Sequence, residues 1–363
     1  MPKVILVSQF PLPYDKIGSW TTLYKNYIKS QHLIDYIVCL KPDQYFENVK
    51  YSCVNSSFFL KLEKKFKKNP YLGYIEAILR IIEKNEKYII QVVDNFGIIP
   101  YLQKVLVEKG FRSNTYVQFF YHGYSPFVKN IEQSWFFDYV DEMVLLTHDS
   151  YKVHRDYYSI LPTRFSVLHN GIDISKFYPL SSSDKLKKRE EKGIQDKKIF
   201  VWCAQDRPKK GLHIILDAWK RFYKQFSNTE LWVIGCEPKQ PIKGVLYYGR
   251  IPNDELSHYF QISDCYLFPT LCHEGFGLSL IEALHCGLYC IASHEGGVPE
   301  VLQYGKFGKL IEEPHFVTEW ENAMVEFMKH PKQFDSISNH LYTTDSWNKG
   351  MNDIIMNAKI SLT

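Results

Sequence analysis

Two glutamates, Glu274 and Glu282, stand with seven residues between them, and three of those seven are Gly275-Phe276-Gly277. The apolar run Leu278 to Leu284 follows the glycines directly. Before them comes the strand-like run Cys265-Tyr266-Leu267-Phe268-Pro269, and after the helical run comes Leu288-Tyr289-Cys290-Ile291-Ala292. The segment therefore reads strand, glycine loop, helix, strand. Glycine lets a backbone approach a ligand closely. A helix start aims N–H donors and a positive dipole end at the loop, which suits a phosphate. Carboxylates accept hydrogen bonds from vicinal hydroxyls. A phosphate cradle with two hydroxyl acceptors describes a nucleotide-sugar site. Two solvated glutamates beside an ordinary helix start would leave the same short pattern.

The elements that must position this segment run along the whole chain. At 363 residues it is long enough for two cores. Hydrophobic content of 45% with 23% charged residues predicts a globular protein, and 16% aromatic content is high. A net charge of +4 argues against a dedicated nucleic-acid binder. No apolar run approaches a membrane span, and no secretory leader pattern is expected at the N-terminus. Eight cysteines without a Cys-x-x-Cys pair read as reduced thiols of a cytoplasmic protein. Strands are predicted at 3–7, 36–40, 88–93, 115–120, 143–146 and 165–168, with helices between them, including 98–109. A second series is predicted at 199–202, 231–234, 245–248, 265–268 and 289–292. The polar stretch from Ser181 to Gly193 between the two series reads as a linker, partly helical at most. The fold class is α/β, with two doubly wound Rossmann-like domains facing each other across a cleft. The first covers 1–172 with a returning C-terminal helix at about 345–363, and the second covers 173–344.

Five segments, in order, carry a family resemblance. They are the loop Pro11 to Ser19 ending in Gly18-Ser19, the strand end Tyr121-His122-Gly123, and the element Val167-Leu168-His169-Asn170-Gly171-Ile172-Asp173. Lys210-Gly211-Leu212 and the stretch from Glu274 to Gly296-Gly297-Val298-Pro299-Glu300 complete the set. The chain resembles, over nearly its whole length, the retaining GT-B glycosyltransferases of family 4 (glycosyl transferases group 1). The resemblance implies a hexosyl transfer of class EC 2.4 from a nucleotide sugar, UDP-sugar first and GDP-sugar second. The acceptor would be a glycan or lipid-linked molecule in lipopolysaccharide, capsule or other cell-surface polysaccharide synthesis. The first domain would be the acceptor side and the second the donor side.

In this reading His122, Arg207, Lys210 and Glu274 are the catalytic set. Arg207 and Lys210 follow the strand 199–202 and would meet the charge developing on the departing diphosphate. The family's usual arginine stands five or six residues before the lysine, where this chain has Ala204 and Gln205. Glu282 would bind the ribose hydroxyls. The N–H groups of Gly275, Phe276, Gly277 and Leu278 would hold the sugar and phosphate. Arg250 and Ile251 would hold the base, and Gly18 would let the first loop approach the donor or acceptor. No Asp-x-Asp pair occurs, and His and Cys spacing offers no metal site, so no metal or other cofactor is expected. The basic segment 58–68, with Phe59, Leu62 and Phe66 on one helical stripe, reads equally as a contact with an anionic membrane or as a solvated surface helix. The expected location is cytoplasmic, with the inner face of the membrane open. Two alternatives stand beside the transferase: a GT-B sugar-nucleotide epimerase and a non-catalytic, glycosyltransferase-like binding subunit.

Overall fold

The computed structural model describes residues 1–14, 19–54, 69–127, 135–330 and 336–362. Gly18 and the basic segment 58–68 lie outside the described residues. The chain divides into two compact units, one of Met1–Asn170 with Thr344–Thr363 and one of Gly171–Thr343.

The first unit strings together β1 (Lys3–Val7), α1 (Ser19–Lys29), β2 (Tyr36–Leu40), β3 (Lys50–Val54), α2 (Leu72–Leu79), β4 (Tyr88–Val93) and α3 (Ile99–Glu108). It continues with β5 (Thr115–Tyr121), α4 (Trp135–Tyr139), β6 (Glu142–Leu145), α5 (His148–Tyr157) and β7 (Arg164–Val167). Its sheet has the order β3-β2-β1-β4-β5-β6-β7, with every pair parallel. All six residues of β4 are buried, as expected where helices cover both faces of a parallel sheet. The sequence reading lacks β3. That strand lies at the sheet edge, and only Val54 of its five residues is buried, so neither alternation nor an apolar run marks it.

The central strands also carry a buried polar ladder. Gln91 Nε2 donates to Gln118 Oε1 at 3.0 Å, and Gln118 Nε2 donates to Glu142 Oε2 at 2.7 Å. Ser166 Oγ donates to the other Glu142 oxygen. Unpaired, these groups would be costly inside a sheet, so the ladder opposes any shift of register among β4 to β7.

The second unit contains α6 (Ser182–Glu191), β8 (Lys198–Cys203), α7 (Leu212–Phe222), β9 (Thr229–Ile234), β10 (Val245–Gly249) and α8 (Asn253–Gln261). It ends with β11 (Cys265–Phe268), α9 (Leu278–His285), β12 (Tyr289–Ser293), α10 (Val298–Val301), β13 (Gly308–Ile311) and α11 (Val317–Lys329). The sheet order is β10-β9-β8-β11-β12-β13, again all parallel. The four-residue edge strand β13 is also missing from the sequence reading. The last helix, α12 (Thr344–Ser361), belongs to the first unit and buries Trp347, Met351, Ile354, Ile355 and Ala358 there.

The stretch read as a linker proves to be α6. Ser181 caps it by accepting from the Asp184 N–H at 3.1 Å, a favoured capping arrangement. Its Arg189 is buried and donates to the Ile262 carbonyl at 2.7 Å, to Asp264 Oδ2 at 3.0 Å and to the Ile194 and Lys197 carbonyls. Asp264 also accepts from the Ile199 N–H at 2.9 Å. The lysine- and glutamate-rich composition hid a helix with one inward arginine that fastens the start of β8 to the start of β11. Arg189→Ala should therefore lower the stability of the second unit by about 3 kcal/mol or more. Urea unfolding followed by tryptophan fluorescence measures this, and a loss below about 0.5 kcal/mol, as for an ordinary surface site, would contradict it.

Candidate functional site

Strand order reverses direction between β8 and β11 in the second sheet. In open α/β sheets the connections after two such strands splay apart at their carboxyl ends and leave a crevice, the usual place for a ligand. Lys210 comes from the connection after β8, and Glu274 from the connection after β11. The structure brings them together: Lys210 Nζ donates to Glu274 Oε2 at 2.5 Å, with both side chains about four-fifths buried. The ammonium also lies 5.9 Å from the centre of the Phe268 ring.

Close backbone approach makes this contact. Lys210 ends a short 3₁₀ turn, Pro208–Lys210, and Trp202 Nε1 donates to its carbonyl at 3.1 Å. Gly211 follows with φ +67°, and a Cβ there would sit 1.9 Å from the Pro269 carbonyl oxygen. The Lys209 carbonyl accepts the Leu271 N–H at 2.8 Å, which seals the two connections. Glu274 is fixed from the other side. Gly297 N–H donates to the Glu274 carbonyl at 2.8 Å, and a Cβ on Gly296 (φ +65°) would lie 2.5 Å from the Glu274 nitrogen. Only glycine tolerates both the conformation and the proximity at positions 211 and 296.

The glycine loop Gly275-Phe276-Gly277 leads into α9, and Gly277 is its N-cap. The first N–H groups of that helix have no intrahelical acceptor and point toward the loop. Leu278 is half-buried, whereas the Phe276 ring is 2% exposed and anchors the loop from below. Glu282, one turn further, is buried on α9. Asn253 Nδ2 donates to its Oε1 at 3.2 Å. Burial raises the Glu282 carboxyl to about 7 from its ordinary 4.5, with the Asn253 hydrogen bond pulling the other way. Tyr266, fully buried on β11, ties the neighbourhood together: its hydroxyl donates to the Cys203 carbonyl at 3.1 Å and lies 2.8 Å from Ser279 Oγ.

Arg207 caps the 3₁₀ turn, where its carbonyl accepts the Lys210 N–H at 2.8 Å, and its side chain is exposed. Gln205 is exposed as well, while Ala204 N–H still pairs with the Ile234 carbonyl as an extension of the sheet. Arg250 is exposed and Ile251 half-buried just past β10, where the Gly249 carbonyl accepts the Gly235 N–H at 2.6 Å. Among the described residues, no group of three or more His, Cys, Asp or Glu side chains is placed to hold a metal ion.

His122 lies in the first unit, at the end of β5. Its backbone N–H donates to Asp94 Oδ1 at 2.8 Å, and its Nδ1 is 3.2 Å from Asp94 Oδ2. The Trp20 ring stacks on the imidazole with centroids 6.2 Å apart and planes at 25°. Asp94 has φ +53°, uncommon for a residue with a side chain and found with Asn and Asp more often than with most others. The sequence reading missed both Asp94 and Trp20. An aspartate directly after the buried strand β4 was the available signal.

Comparison with known proteins bears on the fold and on the second unit. HepE of Anabaena in complex with UDP superposes with a TM-score of 0.73 at 15% identity, over 98% of this chain and all of that one. A sucrose-phosphate synthase from Thermosynechococcus elongatus superposes with a TM-score of 0.69 at 15% identity, over 99% of this chain and all of that one. Together with the two parallel sheets, these likenesses show the GT-B fold. The GDP-mannose-dependent alpha-(1-6)-phosphatidylinositol monomannoside mannosyltransferase of Mycolicibacterium smegmatis is 25% identical over 39% of this chain and 41% of its own length. The alpha-monoglucosyldiacylglycerol synthase of Acholeplasma laidlawii is 26% identical over 46% of this chain and 42% of its own length. The chain thus spans about two fifths of the length of the curated relatives it matches. Residues 184–342, most of the second unit, match the family described as glycosyl transferases group 1.

Proposed function

We propose that this protein is a retaining glycosyltransferase of family 4 that moves a hexosyl group from a nucleoside diphosphate sugar to a glycan or lipid-linked acceptor. The observation that carries the reading is the contact between Lys210 and Glu274 at the mouth of the Gly275–Gly277 loop, just before the start of α9. Lys210, the α9 dipole and the loop N–H groups supply positive charge where a diphosphate would depart. Arg207, exposed three residues earlier, is free of burial constraints and can add a second cation there. Glu274 faces the sugar, and Glu282 accepts from the ribose hydroxyls. Arg250 and Ile251 hold the base. UDP is the favoured nucleotide, supported by the UDP and UDP-glucose complexes of HepE, and GDP comes second, supported by the GDP-mannose-dependent relative.

We assign His122, which is paired with Asp94, a catalytic role in the transfer. The bond from the anomeric carbon to the phosphate oxygen breaks on the face where the acceptor oxygen bonds. The departing phosphate oxygen takes the acceptor's proton. The charge on the leaving group is balanced by side chains and N–H donors, so the reaction is read as metal-independent. The lipid-linked class of acceptor draws support from the diacylglycerol and phosphatidylinositol lipids in the relatives' names. Among the described residues no helix is long and apolar enough to cross a membrane.

Transfer from UDP-sugars to a glycan or lipid-linked acceptor panel tests this, with and without added divalent metal. Lys210→Ala and Glu282→Ala should each lower kcat/KM by about 10²–10³ while the circular-dichroism spectrum stays that of the parent. Turnover near wild type in either variant would sink the assignment. Product in the absence of acceptor, with the sugar changed and the diphosphate retained, would identify an epimerase instead.

Glu282 gives a second, pH-dependent test. Its folded value of about 7 lies above its ordinary 4.5, so the folded state holds its proton longer. The contribution of Glu282 to stability should therefore fall as pH rises from about 4.5 to about 7 and level off above. Glu282→Gln removes this slope and should gain up to about 3 kcal/mol over wild type across that window. Ribose hydroxyls favour the charged carboxylate, so nucleotide-sugar affinity in wild type should strengthen through pH 7, and Glu282→Gln should lose that dependence. Thermal melts and titration calorimetry at pH 5 and pH 8 read both. A pH-independent difference between variant and wild type would contradict the burial of this carboxyl.

A further inference from the structure

A glycine loop cannot hold itself in place, because its glycines bring no side chains to pack. In Gly275-Phe276-Gly277 the side chain that packs is that of Phe276, which is 2% exposed. What holds that ring comes from the far end of the second unit. Tyr342 meets it edge to face, with ring centroids 5.2 Å apart and planes at 89°.

Tyr342 is itself held on several sides. Its hydroxyl donates to the Glu300 carbonyl on α10 at 3.2 Å. Its carbonyl accepts the Ile172 N–H at 2.9 Å, and Ile172 pairs with Thr343 as an isolated parallel bridge. The neighbouring Leu341 carbonyl lies 3.0 Å from Nε2 of His285, the last residue of α9. Both ends of the eight-residue α9 are therefore tied to one short segment: the N-terminal end through Phe276 and Tyr342, the C-terminal end through His285 and Leu341. Tyr342 is 2% exposed and has φ +57°, a conformation that a bulky side chain rarely adopts. Strain of this kind persists where the surroundings over-determine it, and it clusters at functional sites.

We propose that Tyr342 is a positioning residue for the donor site. Its ring fixes Phe276, and through Phe276 the glycine loop and the start of α9, in the geometry that receives the sugar and diphosphate. The role in donor binding rests on the nucleotide-sugar reading given above, whereas the mechanical coupling does not. The coupling also explains the Asn170-Gly171-Ile172-Asp173 element in part: Ile172 supplies the N–H that locks the Tyr342 carbonyl.

Three variants of the full chain test this. Tyr342→Leu keeps an apolar side chain but removes the ring edge. Tyr342→Phe keeps the ring and loses only the hydroxyl. Phe222→Leu, in the fully buried core of the same unit on α7, serves as a stability-matched control. Two readouts are taken: KM and kcat for the nucleotide sugar, and amide hydrogen exchange of residues 274–280 without ligand. Tyr342→Leu is expected to raise donor KM by about ten- to a hundredfold, since small misplacements have effects of this size, with a smaller change in kcat. It should also speed exchange in 274–280 but leave β8 and β9 unchanged. Tyr342→Phe should restore both readouts to near wild type, and Phe222→Leu should lower the melting temperature without moving either. Wild-type exchange in Tyr342→Leu, or an equal KM rise in Phe222→Leu, would overturn the proposal. If wild type binds no nucleotide sugar, the donor reading fails, and loop exchange alone decides whether Tyr342 holds the loop.

Discussion

The second unit's site depends on two close backbone approaches, Gly211 against Pro269 and Gly296 against Glu274. Each would place a Cβ well inside contact distance of a main-chain atom, so no other residue fits without moving a connection. Their effect is to draw together the connections after β8, β11 and β12, three strands that are neighbours in the sheet. The Lys210–Glu274 pair is the chemical result. A lysine and a glutamate on exposed loops would gain little from pairing. Here the connections are already fixed by glycine contacts and by the Leu271–Lys209 and Gly297–Glu274 hydrogen bonds, so little side-chain freedom is lost when they meet.

The site's electrostatics are divided between open and closed groups. Lys210 and Glu274 pair with one another at the mouth of the glycine loop, with about a fifth of each side chain exposed. Glu282 is buried on α9 with one amide donor and is held part-protonated near neutral pH. A buried carboxyl with a single hydrogen bond lacks donors. On the function proposed above, a pair of ribose hydroxyls would supply them at Glu282, whereas Glu274 is already paired. In the first unit, the Asp94–His122–Trp20 cluster is built on the ends of β4 and β5 and the first turn of α1, again at carboxyl ends of parallel strands.

The sequence showed the fold class and most strands, because long apolar runs such as Tyr88–Val93 are the strongest local signal there is. It did not show β3 or β13, edge strands that are short and half-exposed. It also read α6 as a linker, since the helix's charged composition concealed the single inward arginine, Arg189. At the site, Lys210, Glu274 and Glu282 stood out by type and spacing. Asn253, Asp94 and Tyr342 did not. Each acts through a contact made 28 or more residues away along the chain. The buried ladder from Gln91 to Ser166 escaped for the same reason: single polar residues inside apolar strands show their purpose only when the strands are side by side.

The central claim is that the second unit holds a nucleoside diphosphate through Lys210. A thermal-shift screen against UDP, GDP, ADP, TDP and CMP, without metal and then with it, tests this most directly when run on wild type and Lys210→Ala side by side. A ligand at a hundred times its dissociation constant stabilises by about 2.7 kcal/mol, a visible shift. The account predicts a metal-free shift with one diphosphate, UDP foremost, that largely disappears in Lys210→Ala. No shift with any nucleotide, or an equal shift in the variant, would contradict it.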